Sequence, residues 1–246
     1  MQKKKLLFVA AHPDDAEFCA GGLISAWSKA EHKVKVLCLT NGNAGHHQTR
    51  ADELAIRRAE EAGLSANIVG AELEIWDQAD GELIASIELR KKLIGCIRTF
   101  APDLIVTHRV VDYHPDHRAT GQLVQDSAYL LQVPAIAPDQ VAMKQMPAIL
   151  LAYDRFQDPR PHRLDWVVDI EDHIDTVLGM LACHQTQVFE WLPKIMGMTV
   201  NADDKENWLR KFYLAKPKAV AKIVTQARTS KAPLKSADYA DLAFAE

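Results

Sequence analysis

Short apolar runs alternate with longer charged or amphipathic segments along the chain. Apolar runs bounded by polar residues predict buried strands, and they cover 6–10, 34–39, 104–107, 149–153 and 166–170. The segments between them have the length and polarity of helices, and these cover 16–29, 50–62, 87–100, 120–131 and 174–183. Strands that alternate with helices predict an α/β fold, with βαβ units around a mostly parallel sheet.

Capping residues mark the ends of two predicted helices. Asp14 or Asp15 is a candidate N-cap for the helix that starts at residue 16. Gly63 is a candidate for the position just past the end of the helix over 50–62, because glycine accepts the left-handed conformation that often ends a helix.

The charge of the chain changes near its C-terminus. Between Asn207 and Ser236 the chain carries eight basic residues and no acidic one. We therefore predict a main domain over 1–200 and, over 201–246, a helical and basic appendage of the same domain. A solvated helical face, or docking onto the acidic body of the same or a neighbouring subunit, explains such a segment better than nucleic-acid binding. We expect a homo-oligomer with this segment at a contact.

Composition excludes several classes of protein. The 246 residues are 48% hydrophobic and 25% charged, which is typical of a globular chain. The net charge of −4 gives no reason to expect nucleic-acid binding, and no apolar run approaches the roughly 18 residues of a membrane span. The four cysteines are scattered without a Cys-x-x-Cys pair, which predicts reduced thiols and a cytoplasmic location.

The motif His12-Pro13-Asp14-Asp15 directly follows the first predicted strand. Ligands of parallel α/β sheets bind beyond the carboxyl ends of the strands, so the position itself indicates a site. Imidazole and carboxylate are good zinc ligands, and a turn stiffened by Pro13 allows His12 and Asp15 to face one point. The alternative is that one aspartate merely caps the following helix.

A second polar motif, over 112–118, follows the strand at 104–107. His117 is a candidate third metal ligand, and Asp116 can hold the second ring nitrogen of a ligating histidine. His114 then remains free to act on a substrate. The alternative is a polar surface loop.

Together the two motifs complete a catalytic metal site. Catalytic zinc has three protein ligands and an open position for water, and His12, Asp15 and His117 form such a set. Asp14 is not needed as a ligand and can take a proton from the water. His114 is also free and, as a charged imidazole, can stabilise or protonate the reacting group.

These motifs resemble the PIG-L/LmbE superfamily of zinc-dependent N-acetylglucosaminyl de-N-acetylases. The resemblance covers residues 6 to about 190, in order, and rests on these segments: Ala11-His12-Pro13-Asp14-Asp15-Ala16-Glu17, Gly21-Gly22, Thr40-Asn41-Gly42, Gly45, Asp80-Gly81, His114-Pro115-Asp116-His117-Arg118 and His184-Gln185-Thr186-Gln187. It implies a Rossmann-like fold without a nucleotide, with helices on both faces of the sheet, and hydrolysis of an acetamide to an amine and acetate.

The resemblance also implies a role for each site residue. It makes His12, Asp15 and His117 the ligands of one Zn²⁺ per chain and Asp14 the general base. His114 would stabilise the tetrahedral intermediate, with support from Asp116, and Arg50 of an Arg-x-x-Glu segment would lie near the substrate. The partner expected is a small N-acetylated sugar, with no nucleic acid and no membrane.

Two rival functions remain. A Rossmann-like module that binds a sugar or nucleotide without catalysis is disfavoured, because no Gly-x-Gly-x-x-Gly follows the first strand. A metal-dependent phosphoesterase usually holds two metals bridged by carboxylates, whereas the motifs account for one.

Overall fold

A five-stranded, fully parallel sheet forms the centre of the molecule. The computed structural model describes residues 3–159 and 164–229. The strands are β1 (Lys5–Ala10), β2 (Lys33–Cys38), β3 (Glu72–Ile75), β4 (Leu104–Thr107) and β5 (Ala148–Leu151). Their order is β3-β2-β1-β4-β5, so β1 is central and its two neighbours are β2 and β4.

Helices cover both faces of the sheet, as predicted. They are α1 (Asp15–Lys29), α2 (Ala51–Ile68), α3 (Ile87–Phe100), α4 (Pro115–Ala128), α5 (Ile174–Cys183), α6 (Leu192–Ile195) and α7 (Lys205–Thr229). Alternate residues of β1 explain the two layers, because successive side chains of a strand point to opposite faces. Leu6 and Phe8 pack in the core with α1, α5 and α7, whereas Leu7 and Val9 pack with α3 and α4.

The structure corrects two of the predicted elements and adds one strand that was not predicted. The helix at 50–62 does not end at Gly63 but continues to Ile68. The segment 166–170 is irregular and pairs with no strand among the described residues. Its Ile170 instead packs against Gly22 of α1. The strand β3 was not predicted, because its Glu-Leu-Glu-Ile pattern is short and half polar, as is usual at a sheet edge.

The start of α4 also differs from the prediction. The helix begins at Pro115 rather than at residue 120, and His114 is its N-cap. Proline is favoured in the first turn because the missing N–H would have no partner there. The second polar motif therefore consists of a short loop, 112–114, followed by the first turn of a helix, 115–118.

The helix α7 packs onto the body of the molecule. Trp208, Leu209 and Tyr213 are buried in the same core as β1 and α1. Arg210 forms an ion pair with Asp175 of α5, so part of the basic segment contacts the acidic body of its own chain. Lys231 and Lys235 lie outside the described residues. The division of the chain at residue 200 stays a prediction.

Crossing a bilayer needs a long apolar helix, and the described parts of the chain contain no helix that meets both conditions.

Two helix-interior glycines predict opposite effects of the same substitution. A Cβ on Gly121 of α4 would lie 2.6 Å from the carbonyl oxygen of His108, whereas a Cβ on Gly63 of α2 would meet nothing within 4 Å. Gly121→Ala should therefore lower the free energy of unfolding by about 1–3 kcal/mol, and Gly63→Ala should raise it by about 0.4–1 kcal/mol. Urea unfolding of both variants measures this, and equal effects would contradict the close approach of α4 to the chain after β4.

Candidate metal centre and active site

The two polar motifs meet at the carboxyl edge of the sheet. β1 and β4 are neighbours, with Val9 opposite Thr107, so the segments that follow them start side by side. After β1 the backbone N–H groups of Asp14 and Asp15 both bond to the carbonyl of His12, which makes a tight turn into α1. The N-termini of α1 and α4 therefore point at the same place.

The predicted ligands His12, Asp15 and His117 lie together in this turn. Nδ1 of His12 is 3.3 Å from Oδ2 of Asp15, and Nε2 of His117 is 3.3 Å from Oδ1 of the same carboxylate. All three side chains are buried. The backbone N–H of His12 donates to Asp15 Oδ2 at 2.7 Å, which fixes the carboxylate within its own turn.

Further carboxylates hold the two histidine rings from behind. Oδ1 of Asp112 lies 3.1 Å from Nδ1 of His117. Oδ2 of Asp116 lies 3.3 Å from Nε2 of His12, and the carboxylate also accepts the backbone N–H groups of Gly81 and Leu83. Such outer carboxylates orient a ligating imidazole and increase its basicity. Asp116 is completely buried. Its two backbone hydrogen bonds connect the loop before α3 to the centre.

The charges in this cluster depend strongly on one another. Burial opposes a charge on His12 and His117, but the neighbouring carboxylates prevail: Asp15 and Asp116 raise the pKa of His12 well above its ordinary value, and Asp15 and Asp112 raise that of His117 to about 9. Burial would likewise raise the pKa of Asp15, but His117 and His108 hold it well below its ordinary value. Without a cation the rings of His12 and His117 are thus protonated.

A divalent cation fits this donor set. Two imidazole nitrogens and a carboxylate oxygen are the ligands of many catalytic zinc sites. A cation would take the place of the imidazole protons and compensate the buried carboxylate, so it satisfies the same charge balance. This part of the structure contains three overlapping groups of residues, and within each group the donor atoms lie within 4.8 Å of one another. The groups are His12, His114 and His117; Asp15, His108 and His117; and His12, Asp80 and Asp116.

The carboxylate of Asp14 points away from the helix that it precedes. Asp14 occupies the N-cap position of α1, but its side chain makes no capping hydrogen bond. Instead its Oδ1 accepts a hydrogen bond from Arg58 at 2.9 Å, and Arg58 also lies 3.5 Å from Asp80. The structure does not support the alternative that Asp14 serves only as a cap.

His114 lies beside the predicted ligands, in surroundings that favour its neutral form. Its centroid is 4.6 Å from that of His12 and 4.9 Å from that of His117. Burial and the charges of these two neighbours lower its pKa. Its Nδ1 accepts the backbone N–H of Asp116, so the ring proton is on Nε2. The sequence led us to expect a charged imidazole here, and the surrounding positive charge explains the difference.

Arg50 is the predicted site residue that the structure leaves at the surface. Its side chain is 81% exposed and pairs with Asp52, whereas that of Arg58 is 3% exposed and reaches the cluster. The Arg-x-x-Glu spacing also fits Arg58 and Glu61, and Glu61 is buried and accepts two hydrogen bonds from Thr186. Burial, rather than spacing, distinguishes the two candidates. A role for Arg50 in substrate binding stays a prediction.

His108 is a site residue that the sequence analysis missed. It follows β4 directly, is buried, and its Nε2 lies 3.1 Å from Asp15 Oδ2. Its ring stacks on that of His117 with the centroids 4.0 Å apart. The signal that could have identified it is its position just past a predicted strand and close to the second motif.

The late motif His184–Gln187 closes the other side of the site. It leads into a π-helical turn, Thr186–Trp191. Nε2 of the fully buried His184 is 3.2 Å from Oε1 of Glu17, and the Gln187 side chain donates to the carbonyl of Gly45 at 2.8 Å. The motif thus contacts both α1 and the loop after β2, and π-turns are frequent at functional sites.

A cleft of about 540 Å³ opens over the cluster. The predicted ligands, Asp14, Arg58 and His114 lie along it, and its other side chains include several aromatic rings: Phe18, Tyr113, Tyr153, Trp191 and Phe212. A concave site with a few convergent polar groups among apolar walls suits a small organic molecule.

Comparison with known proteins agrees with this geometry. The profile of the PIG-L family, described as GlcNAc-PI de-N-acetylase, matches residues 7–128, about half of the chain. The diacetylchitobiose deacetylase of Thermococcus kodakarensis is 29% identical over 190 residues, which are 75% of this chain and 70% of that protein. The 4-oxalmesaconate hydratase of Pseudomonas putida is 26% identical over 202 residues, 77% of this chain and 76% of that protein.

A solved structure extends the likeness to the whole fold. The N,N'-diacetylchitobiose deacetylase of Pyrococcus horikoshii superposes with a TM-score of 0.73 at 27% identity, over 89% of this chain and 79% of that one. The chain belongs to the PIG-L/LmbE superfamily. The relatives named here include both deacetylases and a hydratase, so membership does not by itself fix the reaction.

The raised pKa values of His12 and His117 predict that metal uptake displaces protons. At pH 7 both rings hold protons that a cation must remove, so binding of Zn²⁺ should release about two protons and its affinity should increase as the pH rises towards about 9. Calorimetry in buffers of different ionisation enthalpy measures the release. Binding with no proton release, or with an affinity that falls as the pH rises, would contradict the charge balance described above.

Proposed function

We propose that the chain is a zinc-dependent hydrolase that removes the acetyl group from an N-acetylated amino sugar or sugar conjugate, with one ion per chain. The observation that carries this proposal is the convergence of His12, Asp15 and His117, with the Asp14 carboxylate beside them on the cleft side. The relatives that deacetylate diacetylchitobiose support the choice of an N-acetylated sugar.

His12, Asp15 and His117 would hold the ion. When bound, a zinc ion supplies Lewis acidity, which lowers the pKa of a coordinated water to roughly 7 and polarises a carbonyl oxygen. Asp112 and Asp116 keep the two imidazoles in place by their contacts with the second ring nitrogens.

Asp14 moves the proton in this mechanism. Its carboxylate takes a proton from the attacking water as the C–O bond forms at the acetyl carbon, and passes it to the nitrogen as the C–N bond breaks. The products are acetate and a free amine. Arg58, which donates to Asp14 Oδ1, holds the carboxylate towards the cleft and keeps a positive charge next to it.

His114 acts as a hydrogen-bond donor. Because Nδ1 is occupied by the Asp116 backbone N–H, Nε2–H is the group that it presents to a ligand. A donor beside the ion stabilises the negative charge that develops on the acetyl oxygen. The proton for the leaving amine then comes from Asp14 and not from His114.

A screen tests this function directly. Acetate release should be measured with N-acetylglucosamine, diacetylchitobiose and N-acetylglucosaminyl conjugates, using the metal-free and the zinc-loaded protein. Acetate should appear only with the metal. No release from any N-acetylated sugar by the zinc-loaded protein would reject the proposal.

The number of ions separates the proposal from a two-metal phosphoesterase. The group formed by His12, Asp80 and Asp116 has donors close enough for a second ion. However, Asp116 already accepts two backbone N–H groups and Asp80 lies beside Arg58, and both features support a single ion. Elemental analysis should give one zinc per chain.

Hydration of an unsaturated carboxylic acid is a second candidate function. It is favoured by the likeness to a 4-oxalmesaconate hydratase over three quarters of the chain. The same Asp14 could take a proton from a water that adds to a carbon–carbon double bond. Loss of absorbance of a conjugated unsaturated dicarboxylate, measured beside acetate release, decides between the two reactions.

The assembly and location of the protein stay predictions. We expect a homo-oligomer in the cytoplasm, acting on a small sugar substrate without nucleic acid or membrane.

Asp14→Asn should retain zinc and fold but lower kcat by about 10²-fold or more, because the water and the leaving amine lose their proton carrier. Zinc content, circular dichroism and kcat measure the three properties. Asp52→Asn is the matched control, since Asp52 also pairs with an arginine but is exposed and outside the cleft. Near-normal turnover of zinc-loaded Asp14→Asn would remove Asp14 from the mechanism.

Two arginine variants test which Arg-x-x-Glu segment serves the site. Arg58→Gln should lower kcat by about tenfold or more, because Asp14 loses the donor that orients it. Arg50→Gln should leave kcat and KM within about twofold, as is usual for an exposed pair. A large effect of Arg50→Gln on KM would instead support the substrate role predicted for Arg50.

A further inference from the structure

The C-terminal helix α7 forms one wall of the cleft. Phe212 and Lys216 of α7 line it, together with Phe18 of α1 and Tyr153 after β5. The ring of Phe212 meets that of Phe18 edge to face, with the centroids 6.1 Å apart. α7 starts at Lys205, outside residues 7–128 that match the PIG-L profile.

Lys216 brings a positive charge into this wall. Its Nζ donates to the backbone carbonyl of Phe18 at 3.3 Å and lies 5.9 Å from the ring centre of Tyr153. Its side chain is half-buried. Within the described residues, no carboxylate lies at ion-pair distance from Nζ, whereas Arg210 of the same helix pairs with Asp175.

The other charged side chains along the cleft have partners. Asp14 and Asp80 contact Arg58, Asp112 contacts His117, and Asp154 lies 3.7 Å from Arg109. Among the cleft residues that the structure describes, Lys216 is therefore the charge that a ligand is left to balance.

Burying part of an ammonium group costs free energy unless a counter-charge compensates for it. The aromatic neighbours of Lys216 exclude water, and this strengthens any charge–charge interaction formed there. A carboxylate or phosphate oxygen of a bound molecule would supply the counter-charge, since Lys binds both groups as a compact point charge.

We propose that Lys216 is a specificity-determining residue that binds an anionic substituent of the substrate, away from the bond that breaks. The subsite is bordered by Phe18, Tyr153 and Phe212. The part of this inference that concerns turnover rests on the proposed deacetylase function. The substrate class is thus an N-acetylated amino sugar linked to a carboxylate or a phosphate.

Kinetics with matched substrates test the role of Lys216. The substrates are the methyl glycoside of N-acetylglucosamine, its glycoside with a hydroxy acid, and N-acetylglucosamine 1-phosphate. Lys216→Met should raise KM for one or both anionic substrates by about tenfold or more, with kcat within about twofold, and leave the neutral substrate unaffected. Lys216→Arg should keep KM for the anionic substrates close to that of the unmodified protein. The exposed Lys218→Met is the control and should change nothing.

The identity of the affected substrate names the anion. An effect confined to the hydroxy-acid glycoside assigns a carboxylate, and one confined to the 1-phosphate assigns a phosphate. Equal KM values for Lys216→Met and the unmodified protein on all three substrates would overturn the proposal.

Binding without turnover separates this inference from the deacetylase function. Calorimetry should show that glucosamine 1-phosphate or the glucosamine glycoside of the hydroxy acid binds the zinc-loaded protein at least about tenfold more tightly than it binds Lys216→Met. If no substrate yields acetate but this difference remains, the proposed reaction fails and the anion subsite stands. If neither anionic ligand binds more tightly to the unmodified protein, the subsite is rejected.

Discussion

The carboxylate of Asp15, buried among three imidazole rings, is the interaction on which the rest of the site depends. His12, His108 and His117 each approach it to within 3.3 Å. An ionised carboxylate away from water is costly unless opposite charge is next to it, and the rings of His12 and His117, whose pKa values are raised, supply that charge. That requirement sets how the ends of β1 and β4 and the first turns of α1 and α4 come together. Asp112 and Asp116 in turn lie against the outer nitrogens of His117 and His12 and balance the positive charges of these two rings.

Most of the fold and the centre of the site follow from local signals in the sequence. Four of the five strands and the five long helices up to residue 183 overlap the predicted segments, although α2 ends later and α4 begins earlier than predicted. The patterns are clear there because β1 and β4 are apolar on both faces and the helices are long. Neighbouring parallel strands end at the same edge, so the His-Pro-Asp motifs that follow β1 and β4 had to be close.

The missed features depend on contacts between distant parts of the chain. Arg58 and Arg50 share a local spacing, and only the packing of α2 determines which of them is buried. β3 exists because β2 offers it a hydrogen-bonding edge, not because its own sequence is strongly apolar. The lowered pKa of His114 comes from burial and from the positive charges of His12 and His117, and His12 lies about a hundred residues away in the sequence.

The residues proposed for catalysis and those proposed for substrate selection come from different parts of the sequence. All the side chains that would hold the ion or move the proton precede residue 118, whereas Phe212 and Lys216 of the opposite wall come from a helix that starts at Lys205. On the proposed roles, substitutions on the cleft side of α7 would change which substrate binds while the residues proposed to hold the ion and move the proton stay the same, so one reaction could serve different substrates.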